Sequence, residues 1–172
     1  NYKIPFRSNL KILKNKLILS NQNNLLIFID KLNGSRLKII PTEEVVLKNE
    51  FINSLAINKN SLYFLNTYGS LYSININNSQ LDWFVNLNHG IDLNISNLFY
   101  SKPLVVSKDK LIIPTLTHLH ILNITNGSRL VKIPINTATK PIVSSNYLFT
   151  ISSDNLLICL NINDGKIIYS IN

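Results

Sequence analysis

The chain has 172 residues, of which 45% are hydrophobic and 15% are charged, a composition that favours a globular fold and excludes a disordered polyampholyte. Its apolar runs are much shorter than the roughly 18 residues that a membrane-spanning helix needs. Cys159 is the only cysteine, which excludes an internal disulfide and a multi-cysteine metal site. The net charge of +8 comes from dispersed lysines and not from a basic stripe interleaved with aromatics, so it gives no support to a nucleic-acid interface.

Four similar segments follow one another along the chain. In each, a short apolar run is followed by an Asp or Asn and then by a polar turn that ends in glycine or, once, in serine. These segments are residues 26–34, 71–79, 119–127 and 157–165, and the turns of the first and third read NGSRL. The turn positions Gly34, Ser79, Gly127 and Gly165 lie 45, 48 and 38 residues apart. The spacing indicates four repeats of roughly 40 residues.

A second anchor keeps the same offset. Pro103 lies 24 residues before Gly127 in the run KPLV, and Pro141 lies 24 residues before Gly165 in the run KPIV. Because the proline and the glycine keep the same separation in both repeats, the similarity indicates a true structural repeat.

Each repeat predicts four short strands. Runs of Ile, Leu, Val and Tyr alternate with Asn, Asp, Gly and Ser, and no segment has a sustained helical period. In the third repeat we predict strands near residues 104–106, 111–114, 119–123 and 129–133, with a first hairpin turn at Asp109. At this turn and its counterparts Asn15, Asn60 and Asn146, Asn and Asp are expected because they cap their own turns and tolerate positive φ.

Four strands in a repeat of this length are typical of a β-propeller blade. The sequence therefore predicts an all-β partial propeller over residues 1–172, built from four-stranded antiparallel blades near residues 8–40, 51–86, 101–133 and 138–171. We expect these four blades to be about half of a larger ring, one of eight blades.

The repeat resembles the pyrroloquinoline-quinone-type propeller family, whose pattern is a Leu-Tyr-Ala-Leu-Asp strand, a turn with Gly-Lys and a tryptophan that packs between blades. The run LYSININNSQLDW at residues 71–83 is similar at Leu71, Tyr72, Ile74, Asn75 and Trp83. A second match, at residues 157–169, keeps the Gly-Lys pair at Gly165 and Lys166 and has Tyr169 at the tryptophan position. The first and third repeats depart from the pattern there, with Lys38 and Val131. We interpret Gly34, Trp83, Gly127, Gly165 and Tyr169 as structural repeat positions.

The resemblance includes quinoprotein dehydrogenases, and it implies what an enzyme of that class would need. Those enzymes use a bound calcium ion, a catalytic Asp and typically a disulfide between adjacent cysteines, which a single cysteine cannot form within this stretch. The aspartates fall at strand ends or turns, where a structural role is sufficient: Asp30, Asp82, Asp109, Asp154 and Asp164. The adjacent carboxylates Glu43 and Glu44 are expected to be solvated.

His118 and His120 are spaced to share one side of a strand, from which both side chains could reach one metal ion. His120, however, takes the place of Tyr72 in the second repeat, and no third ligand is evident, since His89 falls in the segment between the second and third blades. We therefore predict no catalytic, cofactor-binding or metal-binding residue and no cofactor, and hence no enzyme. The Asn-X-Ser/Thr sequons are interpreted as turn residues, with a luminal protein-sensor propeller as an alternative.

The remaining interpretation is a protein-binding scaffold. The segments between blades, residues 41–50 and 86–100, are long enough to carry a binding surface. Leu98 and Phe99 are our candidates for a partner contact, although the same residues could form an edge strand instead.

Among scaffolds, the degenerate repeats are most similar to the outer-membrane assembly factor B family. That resemblance implies a lipoprotein on the periplasmic side of the outer membrane, with a lipid anchor outside this sequence. It also implies two kinds of protein partner, the barrel-inserting central subunit and unfolded outer-membrane proteins, bound through loops and blade edges.

Overall fold

The computed structural model describes residues 4–44, 52–88 and 98–172. In these ranges the regular structure consists of sixteen strands in four antiparallel sheets of four, each paired in chain order. The described residues contain no helix that is long and apolar enough to cross a membrane. The predicted fold class, all-β with four-stranded antiparallel blades, is confirmed.

Each sheet is one blade. The first contains β1 (Lys11–Leu13), β2 (Lys16–Ser20), β3 (Leu26–Asp30) and β4 (Arg36–Ile40). The second contains β5 (Ser54–Asn58), β6 (Ser61–Leu65), β7 (Ser70–Asn75) and β8 (Leu81–Asn86). The third contains β9 (Val105–Ser107), β10 (Lys110–Pro114), β11 (Leu119–Asn123) and β12 (Arg129–Ile133). The fourth contains β13 (Ile142–Ser144), β14 (Tyr147–Ile151), β15 (Leu157–Asn161) and β16 (Ile167–Ile171).

The chain forms two compact units, Asn1–Tyr100 and Ser101–Asn172, and each unit contains two blades. In the first unit, one face of the first blade packs on the second blade through a core that includes Ile18, Leu26, Leu62 and Phe64. In the second unit, the third blade packs on the fourth through a core that includes Ile112, Leu119, Ile121, Leu148 and Leu160. In each unit, the apolar side chains that alternate along the strands of one sheet are buried against the facing sheet.

The Asp or Asn that ends each third strand explains the repeated turn. In the first blade, Asp30 Oδ1 accepts the backbone N–H of Leu32 at 2.8 Å, and the Asp30 carbonyl oxygen accepts the N–H of Gly34 at 3.0 Å. The same pair of hydrogen bonds recurs at the ends of β7, β11 and β15. The side chain closes its own turn, and the turn then brings the chain into left-handed φ: 72° at Gly34, 71° at Gly127, 75° at Gly165 and 61° at Ser79.

The first hairpin turn differs from the sequence prediction in one respect. Left-handed φ lies not at Asn15 and its counterparts but one residue earlier, with values of 53° at Lys14, 52° at Lys59, 52° at Lys108 and 54° at Ser145. The Asn or Asp that follows has another function, because its carbonyl oxygen accepts a backbone N–H just beyond β3, β7, β11 or β15. In the first blade this is the N–H of Lys31, at 2.9 Å from the oxygen of Asn15. The bond joins the two turns at one end of every blade.

A candidate protein-binding rim on the first unit

Two buried asparagines shape the turns between the second and third strands of the first unit. Asn21 Oδ1 accepts the N–H groups of Asn23 and Leu25, at 3.1 and 3.0 Å. One repeat later, Asn66 Oδ1 accepts the N–H groups of Tyr68 and Ser70, at 2.9 and 3.0 Å. Each side chain therefore satisfies two backbone donors that the turn would otherwise leave unpaired.

The described part of the first inter-blade segment, residues 41–44, is hydrogen-bonded to the turns that contain Asn24 and Asn66. Asn24 Nδ2 donates to the Glu43 carbonyl oxygen at 3.0 Å, and Asn66 Nδ2 donates to Glu43 Oε2 at 3.1 Å. Thr42 Oγ1 donates to the Asn24 carbonyl oxygen at 2.7 Å, and Thr67 Oγ1 donates to Asn24 Oδ1 at 3.1 Å. Glu43 and Glu44, expected from the sequence to be solvated, have exposed side chains.

Both described ends of the second inter-blade segment meet the turn at residues 66–69. The Phe99 N–H donates to the Thr67 carbonyl oxygen at 2.7 Å, and the Leu87 N–H donates to the Gly69 carbonyl oxygen at 2.8 Å. A Cβ on Gly69 would lie 2.9 Å from Phe99 Cδ2, so the aromatic ring lies directly against the glycine. Leu98 and Phe99 are half-buried. Their role as partner contacts stays a prediction, and residues 45–50 and 89–97 of the two segments, including His89, lie outside the described residues.

We call this surface the rim; it consists of residues 21–25, 42–44, 66–69 and 98–100. It combines exposed carboxylates with half-buried apolar side chains. The charge of the rim also acts on Tyr72 in β7. Burial raises the pKa of the Tyr72 phenol, and the negative charge of Glu43 raises it further. The rim can therefore offer hydrogen-bond acceptors and apolar contact to another protein.

The sequence reasoning missed how the rim is held together. The sequence does contain a signal for these turn asparagines, because Asn21 and Asn66 are 45 residues apart, the same spacing as Gly34 and Ser79. The third and fourth repeats have Thr115 and Ser152 at the corresponding turn, where their hydroxyls bond the turn backbone in a similar way.

Several acidic residues weighed from the sequence have structural roles. Asp30 closes the turn after β3, and Asp164 Oδ1 accepts the N–H of Lys166 at 3.0 Å. Asp109 forms an ion pair with Lys110 at 3.0 Å. Within residues 4–44, 52–88 and 98–172, no three His, Cys, Asp or Glu side chains are grouped closely enough to hold a metal ion.

The two histidines of the third blade lie side by side, with ring centroids 5.9 Å apart. His120 lies in β11 and is buried, as its strand register predicts. His118 precedes the strand, and its Nδ1 lies 2.9 Å from Thr117 Oγ1. Burial lowers the pKa of His118, and the positive charges of Lys132 and Arg129 lower it further.

The tryptophan position differs between blades. Trp83 in β8 is half-buried, with its ring centroid 5.9 Å from that of Tyr63. Tyr169 in β16 occupies the corresponding place and is 40% exposed. The outermost strand of the fourth blade thus presents an aromatic side chain to solvent.

Replacing Asn66 with alanine should destabilise the first unit. The substitution leaves the N–H groups of Tyr68 and Ser70 without their acceptor in a buried turn, a loss of about 2 kcal/mol of unfolding free energy. Asn33→Ala is the matched control, because Asn33 accepts one N–H, that of Ser35 at 2.8 Å, where water can replace it. Urea denaturation followed by Trp83 fluorescence measures both; equal losses would contradict the assignment of the buried turn.

The sheet order, the turns and the repeat spacing define a propeller of the pyrroloquinoline-quinone repeat class. The sequence model of one family in this class, described as outer membrane protein assembly factor BamB, matches residues 4–170. The chain therefore belongs to the BamB family. No curated protein matches its sequence.

Solved structures with the same fold include proteins of different activity. The structure of BamB from Moraxella catarrhalis has a TM-score of 0.72 at 12% identity, over 96% of this chain and 52% of that one. Quinohemoprotein alcohol dehydrogenase from Comamonas testosteroni has a TM-score of 0.75 at 12% identity, over 98% of this chain and 35% of that one. The computationally designed Ika4 protein has a TM-score of 0.69 at 14% identity, over 94% of both chains. The chain spans about half the length of the BamB structure, and at these identities the likeness shows the fold alone.

Proposed function

We propose that the chain is a non-catalytic scaffold of outer-membrane β-barrel protein assembly, located on the periplasmic side of that membrane. The observation that carries this proposal is the match to the BamB family over residues 4–170, nearly the whole length of the chain. The proposed partners are the barrel-inserting central subunit and unfolded outer-membrane proteins. The whole protein would be held at the membrane by a lipid anchor outside this sequence.

Two kinds of surface support binding to proteins. Hydrogen bonds from Asn24, Asn66 and Thr67 join the segments of the rim to one another, which favours a preorganised surface for a partner. The outer strands β4, β8, β12 and β16 each lie at the end of their sheet. An extended segment of an unfolded protein can add to such an edge through backbone hydrogen bonds.

The first experiment measures binding of the 172-residue chain to an unfolded outer-membrane β-barrel protein by fluorescence anisotropy. In parallel, the chain is used to capture the purified periplasmic part of the barrel-inserting subunit. Saturable binding in either arm supports the proposal. Absence of binding in both arms would contradict it.

A rim variant then tests the surface. Leu98→Asp places a charge among the half-buried apolar residues of the rim, and we expect at least a tenfold weaker affinity, a change of about 1.4 kcal/mol. Leu116→Asp is the matched control, because Leu116 is 52% exposed in the second unit and lies outside the rim. Equal affinities of the two variants would place the binding surface elsewhere.

The alternative is a fragment of a quinoprotein dehydrogenase, which the fold of the Comamonas enzyme favours. Titration of the chain with the quinone and calcium separates the two functions. We expect no change in the visible absorption band of the quinone. A saturable shift of that band would favour the dehydrogenase.

A further inference from the structure

The NGSRL turns of the first and third blades each place a glycine directly after an asparagine, at Asn33–Gly34 and Asn126–Gly127. The side-chain carboxamide of an asparagine can be attacked by the backbone nitrogen of the next residue. Glycine has no Cβ, so it leaves that nitrogen less hindered than any other residue does. Because the two pairs lie in identical pentapeptides, their intrinsic reactivity is nearly the same, and a difference between them reports on the structure around each turn.

In both turns the attacking nitrogen is already engaged in a hydrogen bond. The Gly34 N–H donates to the Asp30 carbonyl oxygen at 3.0 Å, and the Gly127 N–H donates to the Asn123 carbonyl oxygen at 2.9 Å. The nitrogen must lose this proton in order to attack, so the hydrogen bond has to open first. A closed turn therefore protects its asparagine, and reaction requires local opening.

The side chains of Asp30 and Asn123 keep these turns closed. Asp30 Oδ1 accepts the N–H groups of Leu32 and Asn33, at 2.8 and 3.2 Å. In the third blade, Asn123 Oδ1 accepts the N–H of Thr125 at 2.8 Å. These bonds hold the residues that lie between the acceptor carbonyl and the glycine. Asp30 and Asn123 are thus positioning residues for the protective hydrogen bond.

The carboxamide, in contrast, is bound in a way that favours the reaction. Asn33 Oδ1 accepts the Ser35 N–H at 2.8 Å, and Asn126 Oδ1 accepts the Ser128 N–H at 3.0 Å. Attack on Cγ moves negative charge onto Oδ1, and an N–H that already points at this oxygen stabilises that charge. Each turn therefore contains one activating and one protecting hydrogen bond.

We propose that Asn33 and Asn126 are sites of spontaneous deamidation, and that closure of the turns by Asp30 and Asn123 sets its rate. The glycine nitrogen forms a bond to the asparagine Cγ, the bond between Cγ and Nδ2 breaks, and Nδ2 leaves as ammonia with the proton from the glycine nitrogen. Water then adds to one carbonyl of the resulting succinimide and opens it to aspartate or isoaspartate. Each event replaces a neutral amide by a carboxylate, and isoaspartate also lengthens the main chain within the turn.

The second blade provides a comparison within the same chain. The Ser79 N–H donates to the Asn75 carbonyl oxygen at 2.7 Å, and Asn78 Oδ1 accepts the Gln80 N–H at 3.0 Å, so this turn has the same bonds. Serine, however, stands where the other two turns have glycine, and its side chain hinders the nitrogen. Asn78 should therefore react more slowly than the two Asn-Gly pairs, in the folded and in the unfolded chain.

The test follows each asparagine by mass spectrometry of proteolytic peptides while the chain is incubated in mildly alkaline buffer. In urea, we expect the two NGSRL sites to convert at similar rates, and in the folded chain both should convert at least about tenfold more slowly. Asp30→Ala should raise the rate at Asn33 about tenfold and leave Asn126 unchanged, because it removes the acceptor that closes the first turn. Asn123→Ala should have the opposite selectivity.

Asp30→Asn is the matched control, because it keeps an oxygen acceptor and gives the first blade the residue that the other three have at this position, Asn75, Asn123 and Asn161. It should protect Asn33 nearly as well as the parent chain does. Absence of conversion in urea would overturn the assignment of the sites. Equal rates in the folded and unfolded chain, or acceleration of both sites by each alanine variant, would overturn the protective role of Asp30 and Asn123.

Discussion

Replacing Phe64 with alanine is expected to lower the unfolding free energy of the first unit by about 3–5 kcal/mol, the range for removing a buried aromatic side chain from a core. Phe64 is 0% exposed and lies in the core between the first and second blades. Its ring centroid is 6.0 Å from that of Tyr72, in a stacked arrangement. The substitution leaves a cavity where two sheets meet, and close packing on both sides allows the surrounding side chains to relax only in part.

Phe84→Ala is the control for Phe64. Phe84 lies in β8 with its ring centroid 5.0 Å from that of Tyr72, yet its side chain is 46% exposed. We expect a loss of about 1 kcal/mol, mainly the contact between the two rings. Trp83 lies in the same blade and is the only tryptophan, so its fluorescence reports the urea denaturation of both variants. Equal losses for the two phenylalanines would contradict the core assignment.

The second large effect is expected at Gly165. Its φ of 75° costs an alanine about 1–2 kcal/mol. The added Cβ would also overlap Val131 Cγ1 and would lie 3.1 Å from Ile133 Cδ1, where overpacking costs about 1–3 kcal/mol. We therefore expect Gly165→Ala to destabilise the second unit by about 2–5 kcal/mol, measured by calorimetry.

Gly34→Ala separates the two causes. Gly34 has a similar φ of 72°, but nothing lies within 4 Å of the Cβ that would be added. This variant should lose only the backbone contribution of about 1–2 kcal/mol. Adding Val131→Ala to Gly165→Ala should recover part of the loss, because it removes the methyl group that the new Cβ meets. Equal losses at Gly34 and Gly165, with no recovery, would show that the clash does not contribute.

The turns show how far local sequence reasoning extends. The spacing of Gly34, Ser79, Gly127 and Gly165 predicted the four repeats, and the turn after each third strand is closed by the Asp or Asn beside it. Such turns are local, because donor and acceptor are separated by two to four residues. The first hairpin turn was less predictable, since its left-handed residue is lysine or serine, and neither residue type favours that conformation on its own.

The rim was only partly visible in the sequence. The sequence points to Leu98, Phe99 and the segment that contains Glu43, but the way in which they meet the turn at residues 66–69 depends on bonds between residues far apart in the chain. Thr67 bonds Asn24, which is 43 residues away, and Asn66 bonds Glu43, which is 23 residues away. Composition and spacing contain no information on such pairs until the strands are placed.

The sequence by itself determined the repeat, the number of blades in this chain and the chemistry of their turns, because strand alternation and turn closure involve neighbouring residues. Only the tertiary structure decided which apolar faces are covered. Leu26 lies in the core between the first and second blades, Leu119 lies in the core between the third and fourth, and both are 0% exposed. Burial at these positions depends on the other blade of the same unit, and neighbouring residues within a strand do not specify that contact.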